Sequence, residues 1–390
     1  DIRRALHQEE FVLYFQPQVD LIQQKVQGFE MLIRWQHPQK GLLVPAHFLP
    51  LINGHPVEIE LDHWVLQQAF ARLQDWQQQG YALRLSVNLS GATLLADDFM
   101  PRLRSYIHAY PRMSPGLLEI EVLETSALED ITHAGEIFEA CQDLGFRIAL
   151  DDFGTGYSSL TYFRRLPAET LKIDQSFIFD MLSDKEDLAI VESVIGLAQA
   201  FNRQLVAEGV ESAEHGQLLV QMGCTVVQGY GIARPMPVEQ ALDWADSWRP
   251  SPEWVMETGY HSPEQRALLL ASREHQYWLD ELLLRLNGTP PENASRPDDY
   301  HSCRFGRWYY GLGGVQLGHR AEFREIEPVH KQLHQWADHL VRGLDHLNEG
   351  ERLRGRQQLI ELSHSLQQQI QNLQRILVAE KGVKPIPVTH

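Results

Sequence analysis

The chain has 390 residues, of which 43% are hydrophobic and 22% charged, proportions that are typical of globular proteins. This length is too great for one small hydrophobic core, so it predicts two domains or one large barrel with an appended segment. The formal net charge of −18 argues against a general nucleic-acid-binding protein, because such a protein presents a basic surface to the phosphate backbone.

Cysteine is sparse in this sequence. Its three cysteines, Cys141, Cys224 and Cys303, are an odd number, which fits a reducing compartment better than a disulfide scaffold. No segment approaches the roughly 18 consecutive apolar residues that span a bilayer, and no signal-peptide pattern is present. We therefore expect a cytoplasmic protein with no membrane segment in this chain. Because the sequence starts at Asp1 rather than Met, membrane attachment through preceding residues stays open.

Over residues 1–250, short apolar strands alternate with amphipathic segments. Apolar residues at helical spacing predict helices that include 64–78, 131–144 and 188–201. Strands that alternate with helical crossovers over this length predict a (β/α)8 barrel of the TIM type, and a doubly wound open sheet is the alternative. The predicted strands are Phe11–Gln16, Gly28–Arg34, Leu83–Asn88, Leu118–Glu121, Arg147–Leu150, Thr170–Ile173, Gln204–Ala207 and Val226–Gly229.

Polar side chains recur at the carboxyl ends of these predicted strands. In a (β/α)8 barrel these ends form one face, where the catalytic residues lie. The adjacent Asp151 and Asp152 repel each other, so their pairing favours a nearby cation. Several carboxylates and one Asn carbonyl suit one or two Mg²⁺ or Mn²⁺ ions, and paired ions are common in phosphodiester displacement. The side chains at the strand ends are Glu30, Arg34, Asn88, Glu121, Glu124, Asp151, Asp152, Lys172, Asp174, Glu208, Glu211 and Gln228.

Short motifs in this region occur in a fixed order. They are Glu30-Met31-Leu32, Asn88-Leu89-Ser90, Asp151-Asp152-Phe153-Gly154-Thr155-Gly156, Lys172-Ile173-Asp174, Glu208-Gly209-Val210-Glu211 and Gln228-Gly229-Tyr230. In identity and order they resemble the motifs of the EAL domain of bacterial cyclic di-GMP phosphodiesterases. The resemblance covers the whole of this region, and it implies hydrolysis of cyclic di-GMP to linear pGpG with two Mg²⁺ or Mn²⁺ ions.

The resemblance also implies a role for individual side chains. One ion would be held by Glu30, Asn88, Glu121 and Asp151. The second ion would be held by Asp151, Asp152 and Glu208. Lys172 would lie close to the attacking water, as part of a catalytic set with Glu208, Asp151 and Asp152, and Glu211 would brace the loop after Asp152. The substrate would be contacted by Gln16, Arg34, Asp174 and Gln228.

The sequence departs from the family pattern at a few positions. Met31 replaces the Ala of the signature, Leu123 replaces a Thr near the first ion, and the loop at 53–57 lacks its usual acidic residues. None of these changes removes a metal ligand or Lys172, so the sequence favours an active enzyme. A receptor that binds cyclic di-GMP without cleaving it is the alternative.

Helix-breaking residues at 249–263 predict a linker between a barrel domain at 1–248 and a second domain at 264–382. Beyond the linker, helical spacing predicts an all-α bundle in which the stretch 287–318 is irregular. The predicted helices are Pro263–Leu286, Ala321–Leu347 and Glu351–Glu380.

The second domain contains residues that could bind zinc. His330 and His334 are four residues apart on a predicted helix, which places both imidazoles on one face. With His275 and the thiolate of Cys303 they would complete a tetrahedral zinc site. On spacing alone, a structural or solvated role for the two histidines is as good an interpretation as zinc.

The motifs His275-x-Tyr277, Cys303-x-Phe305-Gly306-x-Trp308 and His330-x-x-x-His334 resemble those of the chemoreceptor zinc-binding (CZB) domain. The resemblance implies that His275, Cys303, His330 and His334 bind zinc in a helical bundle, with Cys303 as the labile ligand. Zinc would then regulate the phosphodiesterase, although a purely structural zinc is the alternative. Both families often form dimers, so a homodimer is also expected by resemblance.

Overall fold

A computed structural model describes residues 2–156, 163, 166–254, 263–287, 299–343 and 346–380. The chain divides into two compact units, one of residues 1–182 and 186–256 and the other of residues 183–185 and 257–390. Among the described residues, none of the helices is both long and apolar enough to cross a membrane.

The first unit is a closed barrel. Its sheet has the strand order β1-β9-β8-β7-β6-β5-β4-β2, and a pairing between β1 and β2 closes the ring. The short strands β3 and β10 add antiparallel to β2 and β1. The strands of the described residues are β1 Phe11–Asp20, β2 Lys25–His37, β3 Gly41–Leu43, β4 Arg84–Leu89, β5 Leu118–Leu123, β6 Arg147–Phe153, β7 Thr170–Ile173, β8 Gln204–Ala207, β9 Val226–Val227 and β10 Met236–Pro237.

Helices alternate with the strands along the chain, and several of them pack against the sheet. In the longest of them, α2, the buried residues Leu66, Phe70, Leu73 and Trp76 recur at intervals of three or four, as an amphipathic helix requires. The ring of Trp76 lies 5.6 Å from that of Phe15 on β1. The helices are α1 Ile2–His7, α2 Pro56–Gln78, α3 Gly91–Leu94, α4 Phe99–Ala109, α5 Glu124–Glu129, α6 Ile131–Asp143, α7 Gln175–Asp180, α8 Lys185–Ala200, α9 Ala213–Met222 and α10 Val238–Ser247.

The closed ring confirms the predicted (β/α)8 barrel and excludes the open sheet, with one difference in the first strand. β1 runs antiparallel to both β2 and β9, whereas the strands from β2 round to β9 pair in parallel. Only residues 21–24 separate β1 from β2, too few for the crossover helix that a parallel pair needs. The hairpin places Gln16 directly opposite Glu30 in the register of the two strands.

The second unit is helical, as predicted, and has its own apolar core. Leu268, Phe305, Phe323, Leu333 and Leu366 are among the side chains buried there. Its helices are α11 Pro263–Leu286, α12 Arg304–Trp308, a π-helical turn Tyr309–Gly313, α13 Gly314–Leu317, α14 Ala321–Arg324, α15 Ile326–Gly343 and α16 Glu349–Glu380.

Two predictions for this unit were wrong. The part of the expected irregular stretch that is described, from residue 299 to 318, contains α12, the π-helical turn and α13. A Cβ at Gly306 would meet the Tyr300 carbonyl oxygen at 1.9 Å, so this glycine serves close packing rather than a turn. The expected helix Ala321–Leu347 is also divided, and its second part ends at Gly343.

The boundaries of the two predicted domains stay predictions. Residues 255–262 of the expected linker and residues 381–382 at the expected end of the second domain lie outside the described residues.

Candidate active site and zinc site

The carboxyl ends of the barrel strands bring together the acidic residues that the sequence singled out. The acidic residues form two sets of three. Each residue offers one carboxylate oxygen, and the three oxygens of a set lie within 4.8 Å of one another. One set is Glu30 on β2, Glu121 on β5 and Asp151 on β6, and the other is Asp151, Asp152 and Glu208. Asp151 therefore belongs to both sets.

A fully buried lysine on β7 lies among these carboxylates. Lys172 Nζ is 2.7 Å from both Glu121 Oε2 and Glu208 Oε1, and 3.1 Å from Asp151 Oδ1. Burial lowers the pKa of Lys172, but the combined attraction of the surrounding carboxylates outweighs burial and raises the pKa well above its usual range. Lys172 is therefore an ammonium ion held at the centre of the site.

One ammonium cannot balance the negative charge of this site. Burial, together with repulsion between neighbouring carboxylates, raises the pKa of Glu121 and Glu208 well above the usual range and that of Asp152 to about 7. Glu121 Oε1 is buried and has no hydrogen-bond partner among the described residues. A surplus of buried carboxylates with an unpartnered oxygen fits hard divalent cations, which prefer oxygen ligands.

Amide side chains hold Glu30 in place. Asn88 Nδ2 on β4 donates to Glu30 Oε1 at 2.7 Å, and Gln228 Nε2 donates to Glu30 Oε2. The same Gln228 amide donates to Gln16 Oε1 at 3.2 Å. Because Lys172 Nζ also lies 3.6 Å from Glu30 Oε2, the carboxylate is oriented from several sides.

A cleft of about 230 Å³ opens above the carboxylates. Its lining residues include Glu30, Asp151 and Glu208 from the site, with Phe179 and Tyr230 as exposed aromatic walls. Of the side chains expected to contact a substrate, Gln16 and Gln228 line this cleft and Arg34 and Asp174 do not.

Arg34 and Asp174, which do not line the cleft, interact with residues near them in the fold. The guanidinium of Arg34 lies 5.6 Å from the ring of Tyr14 and donates to the Ile33 carbonyl at 2.9 Å. Asp174 caps α7 and accepts hydrogen bonds from both the backbone N–H and the hydroxyl of Ser176.

The loop after Asp152 is anchored by Glu124, for which the sequence predicted no bracing role. Glu124, at the start of α5, accepts a hydrogen bond at 3.0 Å from the backbone N–H of Gly154. Glu211, the expected brace, lines the cleft instead, and its bracing role stays a prediction. Glu124 follows Glu121 by three residues at the end of β5, and that position at a strand end was the available signal.

The second unit brings together the three predicted histidine ligands, His275, His330 and His334, whose ligand nitrogens lie within 4.8 Å of one another. His275 on α11 and His334 on α15 approach to 3.2 Å between their Nε2 atoms. The thiol sulfur of Cys303, at the N-cap of α12, lies 3.4 Å from His330 Nε2 and accepts from the Gly306 N–H at 3.2 Å. All four of these side chains are buried.

Two histidines of this cluster, His275 and His330, are held in the neutral form. Burial lowers the pKa of His275 well below its usual range, and the neighbouring His330 and His334 lower it further. Burial and the nearby histidines lower the pKa of His330 to about 3. Neutral imidazoles beside a thiol are the groups that zinc binds, so the donor chemistry fits this metal.

The remaining cysteines belong to the barrel unit. Cys141 and Cys224 are free thiols that are fully buried. Burial raises the pKa of each thiol to about 12. Both therefore serve as packing residues.

The closed barrel and its lysine-centred carboxylates define an α/β-barrel protein with a candidate metal site, and the helical unit adds a second candidate site with zinc-type donors. The family model described as the EAL domain matches residues 1–235, and the one described as the chemoreceptor zinc-binding domain matches residues 275–341. The first match spans more than half of the chain, which therefore belongs to the EAL-domain family. Both resemblances seen in the sequence are thus confirmed.

Curated relatives match the barrel region. The bifunctional diguanylate cyclase/cyclic di-GMP phosphodiesterase MucR of Pseudomonas aeruginosa is 38% identical over 243 residues, which are 62% of this chain and 35% of MucR. The cyclic di-GMP phosphodiesterase NbdA of the same organism is 35% identical over 252 residues, 64% of this chain and 32% of NbdA. The chain thus spans about a third of the length of these relatives.

Solved structures match the same region. The P. aeruginosa MucR phosphodiesterase in complex with c-di-GMP is 38% identical, with a TM-score of 0.60 over 62% of this chain and 98% of that one. The EAL enzyme Bd1971 in its cAMP- and cyclic-di-GMP-bound form is 32% identical, with a TM-score of 0.60 over 63% of this chain and 67% of that one.

Proposed function

We propose that the barrel hydrolyses cyclic di-GMP to linear pGpG with Mg²⁺ or Mn²⁺. The observation that best supports the proposal is the buried ammonium of Lys172 among carboxylates from several strand ends, beside an open cleft. In this reaction a water oxygen forms a bond to one phosphorus as that phosphorus loses its bond to a ribose 3′ oxygen. The ring then opens to one linear dinucleotide with a 5′ phosphate.

The carboxylates are assigned to two divalent ions. When bound, such ions activate a water molecule and offset the negative charge that develops on the phosphate. The ligands of the first ion are Glu30, Asn88, Glu121 and Asp151. The ligands of the second ion are Asp151, Asp152 and Glu208. The grouping of acidic oxygens within 4.8 Å of one another supports both assignments.

The other groups of the site bind and orient the reactants. The ammonium of Lys172 donates hydrogen bonds and can turn one of them to the attacking water or to a phosphate oxygen. Gln228 and Asn88 fix the orientation of Glu30 through their amides. The proposed substrate contacts are Gln16, Arg34, Asp174 and Gln228, and Glu211 and Glu124 are the proposed braces of the loop after Asp152.

The test is pGpG production by the purified protein with Mg²⁺ or Mn²⁺. We expect Lys172→Met to lower kcat by about 100- to 1,000-fold, the usual effect of removing one positioned donor from a charged transition state. Lys25→Met removes an exposed lysine from β2 and is the matched control. If cyclic di-GMP binds to the wild-type protein but no pGpG forms with either metal, the barrel is a receptor and the proposal is wrong.

For the second unit, the proposed function is regulatory zinc binding by His275, Cys303, His330 and His334. The close approach of their donor atoms and the neutral state of His275 and His330 support it. Turnover is to be measured across buffered free-zinc concentrations for the wild type and for Cys303→Ala. A response to trace zinc that the variant loses supports regulation, whereas unchanged turnover makes the zinc structural.

The proposed assembly is a cytoplasmic homodimer. This assignment rests on the likeness to the two families, in which dimers are common. Light scattering of the purified chain at micromolar concentration gives its mass directly. A mass of 44.9 kDa, that of one chain, would contradict the dimer.

A further inference from the structure

The imidazoles of the proposed zinc site are in contact with a tryptophan that is not one of its ligands. Trp278 stacks on His334, with ring centroids 4.4 Å apart and ring planes 23° from parallel. Its ring also lies 5.0 Å from that of His275 at an angle of 55°. The indole is partly buried and packs against the core of the second unit.

The position of Trp278 in the chain explains how it reaches both histidines. Trp278 and His275 are three residues apart on α11, so they share one face of the helix. His334 belongs to α15, which packs so that this histidine meets the same face. A single indole therefore contacts ligands from two different helices.

Hydrogen bonding does not orient every ring of the site. A metal-binding histidine commonly donates its second ring nitrogen to a carboxylate, a carbonyl or water, which fixes the ring. His275 Nδ1 is buried and has no hydrogen-bond partner among the described residues. Its ring is instead enclosed by aromatic side chains, with Trp278 at 5.0 Å and Phe305 at 6.2 Å.

The stacking geometry also favours the metal-bound state, because metal binding makes the stacked imidazole more positively charged. An imidazole that donates its lone pair to a cation carries more positive charge than a free neutral imidazole. The face of an indole ring is the strongest aromatic partner for positive charge, and the attraction grows when water is excluded. The stack between Trp278 and His334 is therefore stronger with a cation at Nε2 than without one.

From this geometry we infer that Trp278 is a positioning residue of the zinc site, which orients His275 and His334 and stabilises His334 in its metal-bound form through its π face. The inference rests on the proposed zinc site. It assigns to an aromatic ring the task that a hydrogen-bond acceptor performs in most zinc sites.

Variants of Trp278 in the full-length chain separate the π face from simple packing. Trp278→Leu keeps an apolar side chain without a ring, and Trp278→Phe keeps an aromatic face. The matched control is Trp336→Leu, because Trp336 stacks on His339 at 5.5 Å and 28° on the same helix as the ligands, but His339 is not a proposed ligand. Zinc dissociation constants are measured by competition with a chromogenic chelator.

We expect Trp278→Leu to weaken zinc binding about tenfold, the lower end of the range for outer groups that orient metal ligands. The zinc dissociation constant of Trp278→Phe should stay within about threefold of the wild-type value, since the ring of Phe also attracts positive charge, although more weakly than that of Trp. Trp336→Leu should leave zinc binding unchanged. Zinc binding by Trp278→Leu that equals the wild type overturns the inference, as does an equal loss in the leucine variants of both tryptophans.

A spectroscopic measurement distinguishes positioning from a general role in folding. Zinc added to the metal-free wild type should change the tryptophan emission, because the ring stacked on Trp278 gains positive charge. The change should persist in Trp336→Leu and disappear in Trp278→Phe, although that variant still binds zinc. An emission change that persists in Trp278→Phe contradicts the inference.

The metal-free thermal unfolding of each variant completes the test. A purely structural role predicts that Trp278→Leu lowers the metal-free Tm while the zinc affinity of the remaining folded protein is unchanged, and that result overturns the inference. A wild-type protein that binds no zinc overturns both this inference and the proposed zinc site. The two failures are therefore distinguishable.

Discussion

At the scale of single residues, Glu124 shows how a group outside the metal-ligand set can control the site. Its carboxylate is buried, and one of its oxygens receives the N–H of Gly154. Gly154 has a φ of 104°, and Asp152, two residues earlier, has a φ of 51°. Asp152, a proposed metal ligand, thus has a backbone conformation that is unfavourable for a non-glycine residue. The hydrogen bond between Gly154 and Glu124 helps to hold the chain in this conformation.

We expect Glu124→Ala to lower kcat/KM for cyclic di-GMP by about tenfold, because the partly buried N–H of Gly154 loses its acceptor, which costs on the order of 1 kcal/mol and frees the loop. Glu124→Gln retains an acceptor oxygen for the N–H of Gly154 and should lower kcat/KM less than Glu124→Ala does. Steady-state pGpG production at saturating metal gives both values.

A second acidic residue supplies the control for this prediction. Glu136 on α6 is exposed and is only loosely paired with His133, at 3.9 Å. Glu136→Ala should leave turnover unchanged. Equal activity of Glu124→Ala and the wild type would show that the loop keeps its position without this hydrogen bond.

At the scale of elements, the packing of α2 near α4 leaves a histidine without polar partners. His63 on α2 is buried, and neither ring nitrogen has a hydrogen-bond partner among the described residues. Burial lowers the pKa of His63, with a further lowering by Arg102 on α4 and a partial opposing effect of Asp98. The folded protein therefore keeps this imidazole neutral.

The sign of the resulting pH dependence follows from linkage. The unfolded chain protonates His63 near pH 6.5, and the folded chain does so only at lower pH. Below about pH 6.5 the unfolded state binds more protons, so acid lowers the free energy of unfolding. His63→Leu should remove this contribution, and the fall in the barrel's Tm between pH 7 and pH 5 should become smaller.

An exposed histidine on the neighbouring helix gives the comparison. His108 on α4 is accessible to solvent, and His108→Leu should reproduce the acid-dependent fall in Tm of the wild type. If His63→Leu and His108→Leu show the same fall, the buried imidazole does not contribute to acid sensitivity.

The elements also show what the sequence could and could not predict. Some strands were predictable: the sequence predicted Arg147–Leu150 from the apolar residues before Asp151, and the structure extends that strand to Phe153. The strand Thr170–Ile173 has the predicted bounds. The antiparallel direction of β1 was not predictable in this way, since an apolar run carries no information about strand direction. Only residues 17–27 lie between the predicted strands Phe11–Gln16 and Gly28–Arg34, fewer than the roughly twelve that a parallel crossover needs, and this short connection was a signal of the reversal.

The short helices of the second unit were missed for a different reason. Glycines at 306, 311, 313 and 314 indicated an irregular chain. The structure uses Gly306 for the approach of the Tyr300 carbonyl and Gly313 for contact with the Trp308 ring. The candidate site residues were proposed from their place at strand ends and from motif likeness, whereas the contacts of Glu124 with Gly154 and of Trp278 with His334 are created by the fold.

At the scale of the whole molecule, the two compact units carry different kinds of metal ligands. Oxygen donors lie in the barrel and imidazoles with a thiol lie in the helical unit. A protein with two such cores need not unfold in one step. We expect two thermal transitions, each sensitive to a different ion.

A zinc-selective chelator should lower only the Tm of the helical unit, since binding to the folded state alone stabilises that state. Mg²⁺ or Mn²⁺ should raise only the Tm of the barrel, by an amount equivalent to about 2.7 kcal/mol at one hundred times the dissociation constant. Differential scanning calorimetry of the chelator-treated protein and of each metal-loaded form measures both shifts.

Variants identify the two transitions. Cys303→Ser should reproduce the effect of the zinc chelator, and Asp151→Asn should abolish the effect of Mg²⁺ or Mn²⁺. A single transition that moves as a whole with either ion would contradict the separate stability of the two units.

The sharing of Asp151 between two sets of carboxylates has a consequence for how the proposed phosphodiesterase activity depends on the metal concentration. An ion at one position changes the charge on a ligand of the other, so the two occupancies are thermodynamically linked, and the linkage is reciprocal. Activation by Mn²⁺ should then depart from a simple hyperbola, with a Hill coefficient different from one. The proposed phosphodiesterase activity would then depend cooperatively on the free metal concentration, in addition to the concentration of cyclic di-GMP.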